Sequence, residues 1–202
     1  MSVAEFYRRF TAVLADLGIR VAIMPRPVEL PVAIPFADDS VHRSYDPDAM
    51  HRFWVSLVST QRVLQQFRGE FTGKCSPVHF FWGAFDLAVT RFSGRPAPEH
   101  PGGVPNCPDR VMHEAYNREL ASCGYWPGGA DEGAFYAYAY PEPPGYRDYP
   151  IRPDQARFDP DLGEFVLPYA AVRQADDPDA VLLEFLRSAF TASVQLGRWP
   201  DA

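Results

Sequence analysis

Apolar residues recur along this chain at helical spacing in some stretches and alternate with polar ones in others. Phe6, Phe10, Val13, Leu14 and Leu17 repeat every three or four positions, which predicts an amphipathic helix. Ser2 and Glu5 form a capping box at its start, and Gly18 stands where a C-cap glycine belongs. A longer helix is predicted to open at Asp46 as N-cap, with Pro47 in its first turn. Its stripe is Phe53, Leu57, Leu64, Phe67 and Phe71, widened by Trp54 and Val58, and Gly69 and Gly73 fray or end it. A last helix starts at Asp177 and Pro178 and carries Val181, Leu182, Phe185, Ala189 and Val194 as far as Gly197.

Strand signals lie between these helices. Ala134 to Tyr140 alternates, with Tyr136, Tyr138 and Tyr140 on one side and Phe135, Ala137 and Ala139 on the other. Glu164 to Tyr169 reads as a short strand closed by Pro168, and Ile19 to Ile23 as another. The run Pro77 to Phe92, PVHFFWGAFDLAVTRF, is apolar on both parities. That predicts one or two central strands, with a break at Gly83. Asp109 to Gly124 reads as a short helix, or as a helix followed by a strand. Pro25, Pro27, Pro31 and Pro35 rule out regular structure and predict an extended surface segment. Prolines 96, 98, 101, 105 and 108, with Gly102 and Gly103, predict a long ordered loop or lid from Gly94 to Pro108. Strands and helices do not alternate regularly. The expected class is therefore α+β: a mostly antiparallel central sheet packed by three to four helices, with proline-rich loops, in a single domain over residues 1–202.

Composition narrows the partners. Hydrophobic residues make up 47% of the chain and aromatics 14%, enough for a large core. The formal net charge is −7 with no basic cluster, so neither a nucleic-acid backbone nor an acidic membrane surface is expected as a partner. Cys75, Cys107 and Cys123 are odd in number and form no C-x-x-C pair. Neither a disulfide framework nor a cysteine zinc site is predicted. With no apolar leader in Met1 to Arg9 and no membrane-length run, a cytoplasmic location is expected.

Several chemistries lack their motifs. There is no G-x-S-x-G, no H-E-x-x-H and no G-x-G-x-x-G opening a helix. GEFTGK, Gly69 to Lys74, has one residue too few between its glycines for a phosphate loop. His42, His51, His79, His100 and His113 are scattered, so no metal site is predicted, and no pattern names a cofactor. The most informative residue is Asp86, a carboxylate inside the apolar segment FDLAV. Burial there demands a partner or a proton. If the chain turns at Gly83, Asp86 faces Phe81 across the hairpin, with His79 a diagonal neighbour. His79 is a candidate proton shuttle, and Glu119, in the polar triplet Asn117, Arg118 and Glu119, a candidate acid or base. Arg91 and Arg95, at the mouth of the proline-rich loop, would hold a carboxylate or phosphate. Trp82, Trp126 and Tyr138 would supply apolar walls, and the loop Gly94 to Gly103 a lid. This predicts a site for a small anionic or polar ligand. The competing readings are a structural ion pair around Asp86 and a non-enzymatic protein-interaction module. Whether the chain is an enzyme is left open.

Five blocks of sequence carry a resemblance. They are PFADDSVHRSYDP (Pro35 to Pro47), FTGKCSPVHFFWGAFDLAVTRFSGR (Phe71 to Arg95), YWPGG (Tyr125 to Gly129), FYAYAYPEP (Phe135 to Pro143) and EFVLPY (Glu164 to Tyr169). Together they resemble the signature of a bacterial family of unknown function, DUF5996. The resemblance implies no known activity. It also implies that members are longer, with this chain matching their C-terminal portion, and that an exposed sheet edge would pair with a second copy in a homodimer. Where the family usually has Ser-His-Glu, this chain has Asn117, Arg118 and Glu119.

Overall fold

The computed structural model describes residues 1–128 and 132–200. Helix α1 spans Val3–Asp16 and begins where Ser2 accepts the Glu5 N–H at 3.2 Å. Helix α2 spans Pro47–Gly69, with the Asp46 carboxylate capping the N–H groups of Asp48 and Ala49. After β1 (His79–Phe81) and β2 (Asp86–Pro96) come the short α3 (Asp109–Ala115), β3 (Arg118–Trp126) and β4 (Ala134–Tyr140). A 3-10 turn at Tyr146–Asp148, β5 (Arg157–Asp159), β6 (Glu164–Pro168), α4 (Tyr169–Arg173) and α5 (Pro178–Gly197) complete the order.

The six strands form one antiparallel sheet in the order β1-β2-β3-β4-β6-β5. This is the α+β arrangement the sequence predicts. Successive residues of a strand point to opposite faces, and here the two faces differ in kind. Leu87 and Val89 of β2, Cys123 and Tyr125 of β3, Phe135 and Ala137 of β4, and Phe165 and Leu167 of β6 are buried in the main hydrophobic core. Val63, Leu64 and Phe67 of α2 and Leu182, Phe185, Leu186 and Ala189 of α5 complete that core. The second face carries Asp86, Thr90, Ser122, Tyr136, Tyr138 and Glu164, and among the described residues no long helix packs on it. Instead the connection from β2 through α3 to β3 crosses it. Tyr116 and Tyr138 share a hydroxyl hydrogen bond at 2.8 Å, and Tyr140 donates to the Pro98 carbonyl at 3.1 Å. Segment 28–30 joins this strap, with the Glu29 N–H on the Pro105 carbonyl at 2.8 Å and the Asn106 amide on the Leu30 carbonyl at 2.6 Å.

Several expectations are corrected. Ile19 to Ile23 forms no strand, because no neighbouring strand offers it a ladder, and Ile19, Val21 and Ile23 are exposed. The Pro77 to Phe92 run supplies one of the one or two central strands expected of it. β1 is a three-residue edge and β2 stands next to it, with the break spread over the turn at 82–85. β2 continues through Gly94 to Pro96 past a shift in register, so the loop begins only at Ala97. Trp54 and Val58 do not widen the buried stripe of α2; both are exposed. β5 and α4 carried too few residues to give a period.

Candidate functional site

Asp86 opens β2, on the sheet's second face, and is 6% exposed. The hairpin register sets it opposite Phe81, with His79 opposite Ala88 on the same face, as the turn at Gly83 predicts. Its carboxylate accepts the hydroxyl proton of Tyr136. Tyr136 is two strands away, opposite Gly124 of β3. A Cβ on Gly124 would stand 2.7 Å from the Tyr136 hydroxyl and would collide with the Leu87 carbonyl. Because that Cβ is missing, the tyrosine ring lies across β3 and reaches Asp86.

Two further carboxylates join this face. Glu164 opens β6, next to Tyr138 by the β4–β6 register. The Glu29 side chain lies against Gly83 in the β1–β2 turn. Glu29 and Phe85 both adopt φ of 64°, a left-handed conformation that costs a side-chain-bearing residue about 1 kcal/mol or more. Strain therefore sits on both sides of the Asp86 hairpin. All three acids hold their protons more tightly than usual. Burial raises Glu164 to about 7, with the Asp86 charge adding to it. Burial also raises Asp86, opposed by the Tyr136 hydrogen bond and by the nearby His79. Glu29 is raised by burial and then by Asp86. The phenols of Tyr136 and Tyr138 are pushed well above their ordinary value, chiefly by burial. The face is thus a bed of acids and hydroxyls, floored by the Thr90–Ser122 hydroxyl pair at 2.9 Å and roofed by Tyr116, His100 and Tyr140, whose rings lie 4.6 to 5.5 Å apart.

The other predicted residues fall elsewhere. Arg91 is five positions from Asp86, so it projects from the opposite face. It is 3% exposed. Its guanidinium lies 3.5 Å from the Phe67 ring centroid and 4.3 Å from that of Phe190, and it donates to the Phe67 carbonyl. Its Nε has no partner among the described residues, and burial lowers its pKa to about 10. Arg95 pairs with Glu119 at 2.6 Å and donates to the Gly197 and Arg198 carbonyls at 2.5 and 2.9 Å. Both residues therefore fasten the end of α5 to the sheet. Trp82 is 80% exposed at the hairpin tip. Trp126 donates to the Ala84 carbonyl at 3.1 Å, which clamps the same turn. Of the predicted set, the fold brings Asp86, His79 and Tyr138 to one face, with Trp126 at its end, and carries Arg91, Arg95 and Glu119 away. With those cations goes the reason to expect an anion here. Glu29, Glu164 and Tyr116 join from segments with no sign in their sequence that they meet Asp86; only the shared parity of Tyr136 and Tyr138 was readable.

Two cavities lie apart from Asp86. One, of about 10 Å³ beneath Tyr146 and Ser193, has room for a single water. The other, of about 260 Å³, opens between Phe71, Lys74, Gly94 and Trp199. Among the described residues no group of three or more His, Cys, Asp or Glu side chains is arranged to hold a metal ion, and no helix is long and apolar enough to cross a membrane.

A sequence model described as a family of unknown function, DUF5996, matches residues 1–202. The chain belongs to this family. No curated protein and no solved structure matches it. Gly129, the last residue of the YWPGG block, lies outside the described residues.

Proposed function

We propose that this DUF5996 protein binds a small polar ligand on the second face of its sheet, on Asp86, Tyr136, His79 and Glu164, beneath the strap that carries His100 and Tyr116. One observation carries the reading. Asp86 is buried beside two other proton-retaining carboxylates, and no lysine or arginine stands against it among the described residues. A buried carboxylate with no more than an imidazole near it is costly, and placing it on one face with the half-buried Glu164 and with Glu29 is a poor solution if the role is only structural. A ligand bearing an amine, amidine or several hydrogen-bond donors would supply what the fold withholds. Clusters of perturbed acids also mark proton-transfer sites, so an enzyme acting on such a ligand is the natural extension of the same reading. In that case Glu164, titrating near neutrality, is the best-placed acid or base.

A thermal-shift series against small amines, amides and size-matched carboxylates at pH 8 tests this. Binding to the native state raises the melting temperature. Positively charged or donor-rich compounds are expected to stabilise the native chain and to lose that effect in Asp86→Asn. Stabilisation by carboxylates alone, or a response unchanged in Asp86→Asn, would overturn the reading. A protein-interaction role has its own support in the exposed apolar side chains of the N-terminal region and in Trp82.

A further inference from the structure

Helix α1 has two apolar faces, and only one is used. Tyr7 packs on Phe36 with ring centroids 5.9 Å apart. The Val3 and Ala4 N–H groups bond the His42 and Asp39 carbonyls, each at 2.9 Å. Ala4, Tyr7, Thr11 and Leu14 lie along that side of the helix and are partly covered. Phe6, Phe10, Val13 and Leu17 are exposed, and no residue of α1 is buried. Their spacing is four, three and four residues. That is the seam of a coiled coil, the pattern that holds one line along a helix against another helix.

The molecule also exposes more surface than its mass warrants. Its accessible area is 12382 Å². A compact monomer of 22.7 kDa would expose about 9,500 Å², leaving an excess of roughly 2,900 Å², to which both α1 and the extended segment with Ile19, Val21, Met24, Leu30 and Val32 contribute. A specific interface needs only about 800 Å² from each partner. The sheet edges are a weak place to find it, because β1 and β5 have three residues each and offer few ladder groups.

We infer that α1 pairs antiparallel with α1 of a second copy of this chain, closing a two-fold dimer. The charges beside the seam select both the occupant and the direction. With Phe6 and Phe10 layered on the partner's Leu17 and the partner's Val13, Arg9 falls opposite the partner's Asp16. Two-fold symmetry repeats that pair on the same flank, at the other end of the seam. Arg9 already meets Glu5 of its own helix at 2.5 Å, and the antiparallel pairing adds a second acid to it, whereas a parallel pair would set Arg9 against the partner's Leu14 and add none. The seam is thus self-complementary in apolar spacing and in sign, as an isologous interface must be.

Sedimentation equilibrium of the whole chain tests this. The expected result is a mass twice that of the chain, dissociating on dilution. Phe10→Glu is expected to give a monomer with an unchanged circular dichroism spectrum, because Phe10 touches no core. Arg9→Glu and Asp16→Arg are each expected to weaken the dimer by about tenfold or more, and Arg9→Glu/Asp16→Arg together to restore it. Three results would overturn the proposal: a wild-type chain that stays monomeric at high concentration, a dimer that survives Phe10→Glu, or a double variant no tighter than the singles. A monomer would assign the seam to a different polypeptide. Loss of dimerisation leaves the Asp86 site intact, so this test and the ligand test fail separately.

Discussion

Gly124 works through the side chain it lacks. Tyr136 can donate to Asp86 only by lying across β3 at that residue. Gly124→Ala is therefore expected to separate the pair and to destabilise the fold by about 1–3 kcal/mol, as overpacking typically does. Urea denaturation measures it. Tyr136→Phe makes the complementary cut, removing the donor while keeping the ring. Its expected cost is also about 1–3 kcal/mol, and it depends on pH. The hydrogen bond favours the charged carboxylate and holds the Asp86 pKa down against burial. Without it the buried charge is harder to form, so the penalty grows from pH 5 to pH 8. A penalty equal at both pH values would mean that Asp86 does not change its protonation state between them. Asp86 itself was legible in the sequence, because a carboxylate in an oily segment needs company. Its company was not, since Tyr136 is 50 residues away and only the β2–β3–β4 register brings it near.

At the scale of elements, β2 shows how one strand serves two sites. Asp86 and Arg91 are close in sequence, and that closeness suggested one constellation. The period of two separates them, sending Asp86 to the polar face and Arg91 into the core beneath α2 and α5. Arg91 there donates to the last turn of α2 through the Phe67 carbonyl, where a cation meets the negative end of the helix dipole. Its stem and flat guanidinium also fill space among Phe67, Phe71 and Phe190. Arg91→Ala is expected to cost about 2–4 kcal/mol, mostly through lost packing. Arg91→Met is expected to cost much less, since no acid is left unpaired by it. A Met variant as unstable as the Ala variant would show that the charge, and not the shape, matters. Arg95 and Glu119 hold the end of α5 in a similar way. The helices with caps were legible in the sequence: Ser2, Asp46 and Asp177 each cap the helix they announce. The exposure of the α1 stripe was not, because periodicity reports that a face is apolar and not what covers it.

Over the whole molecule, two sets of carboxylates pull stability in opposite directions with pH. Asp39, Glu70 and Asp179 hold pKa values below the ordinary range, through the His42 backbone N–H, Arg187 and Arg62 respectively. The stability they contribute is present above their unfolded values and is lost as the pH falls through the folded ones. The Glu70 and Asp179 ion pairs are largely solvent-exposed, so each contributes little. Glu164, Asp86 and Glu29 lie on the other side. Their folded pKa values are raised, so their contribution is complete below the unfolded values and disappears as the pH rises through the folded ones. For Glu164 the window runs from 4.5 to about 7, and the loss across it is at most about 3 kcal/mol. The melting temperature is therefore expected to peak near pH 5 and to fall towards pH 8, on the acid side of the usual optimum. Glu164→Gln keeps the shape and removes the titration. It is expected to flatten the curve between pH 5 and 8 and to melt higher than the native chain at pH 8. If Glu164→Gln instead leaves the slope unchanged, Glu164 is solvated and paired well enough to ionise freely, and the acid face has one member fewer. A ligand that brings a positive charge to this face would act like the substitution, flattening the same limb of the curve. Melts at both pH values with and without a bound amine would then tie the stability of the fold to the occupancy of the site.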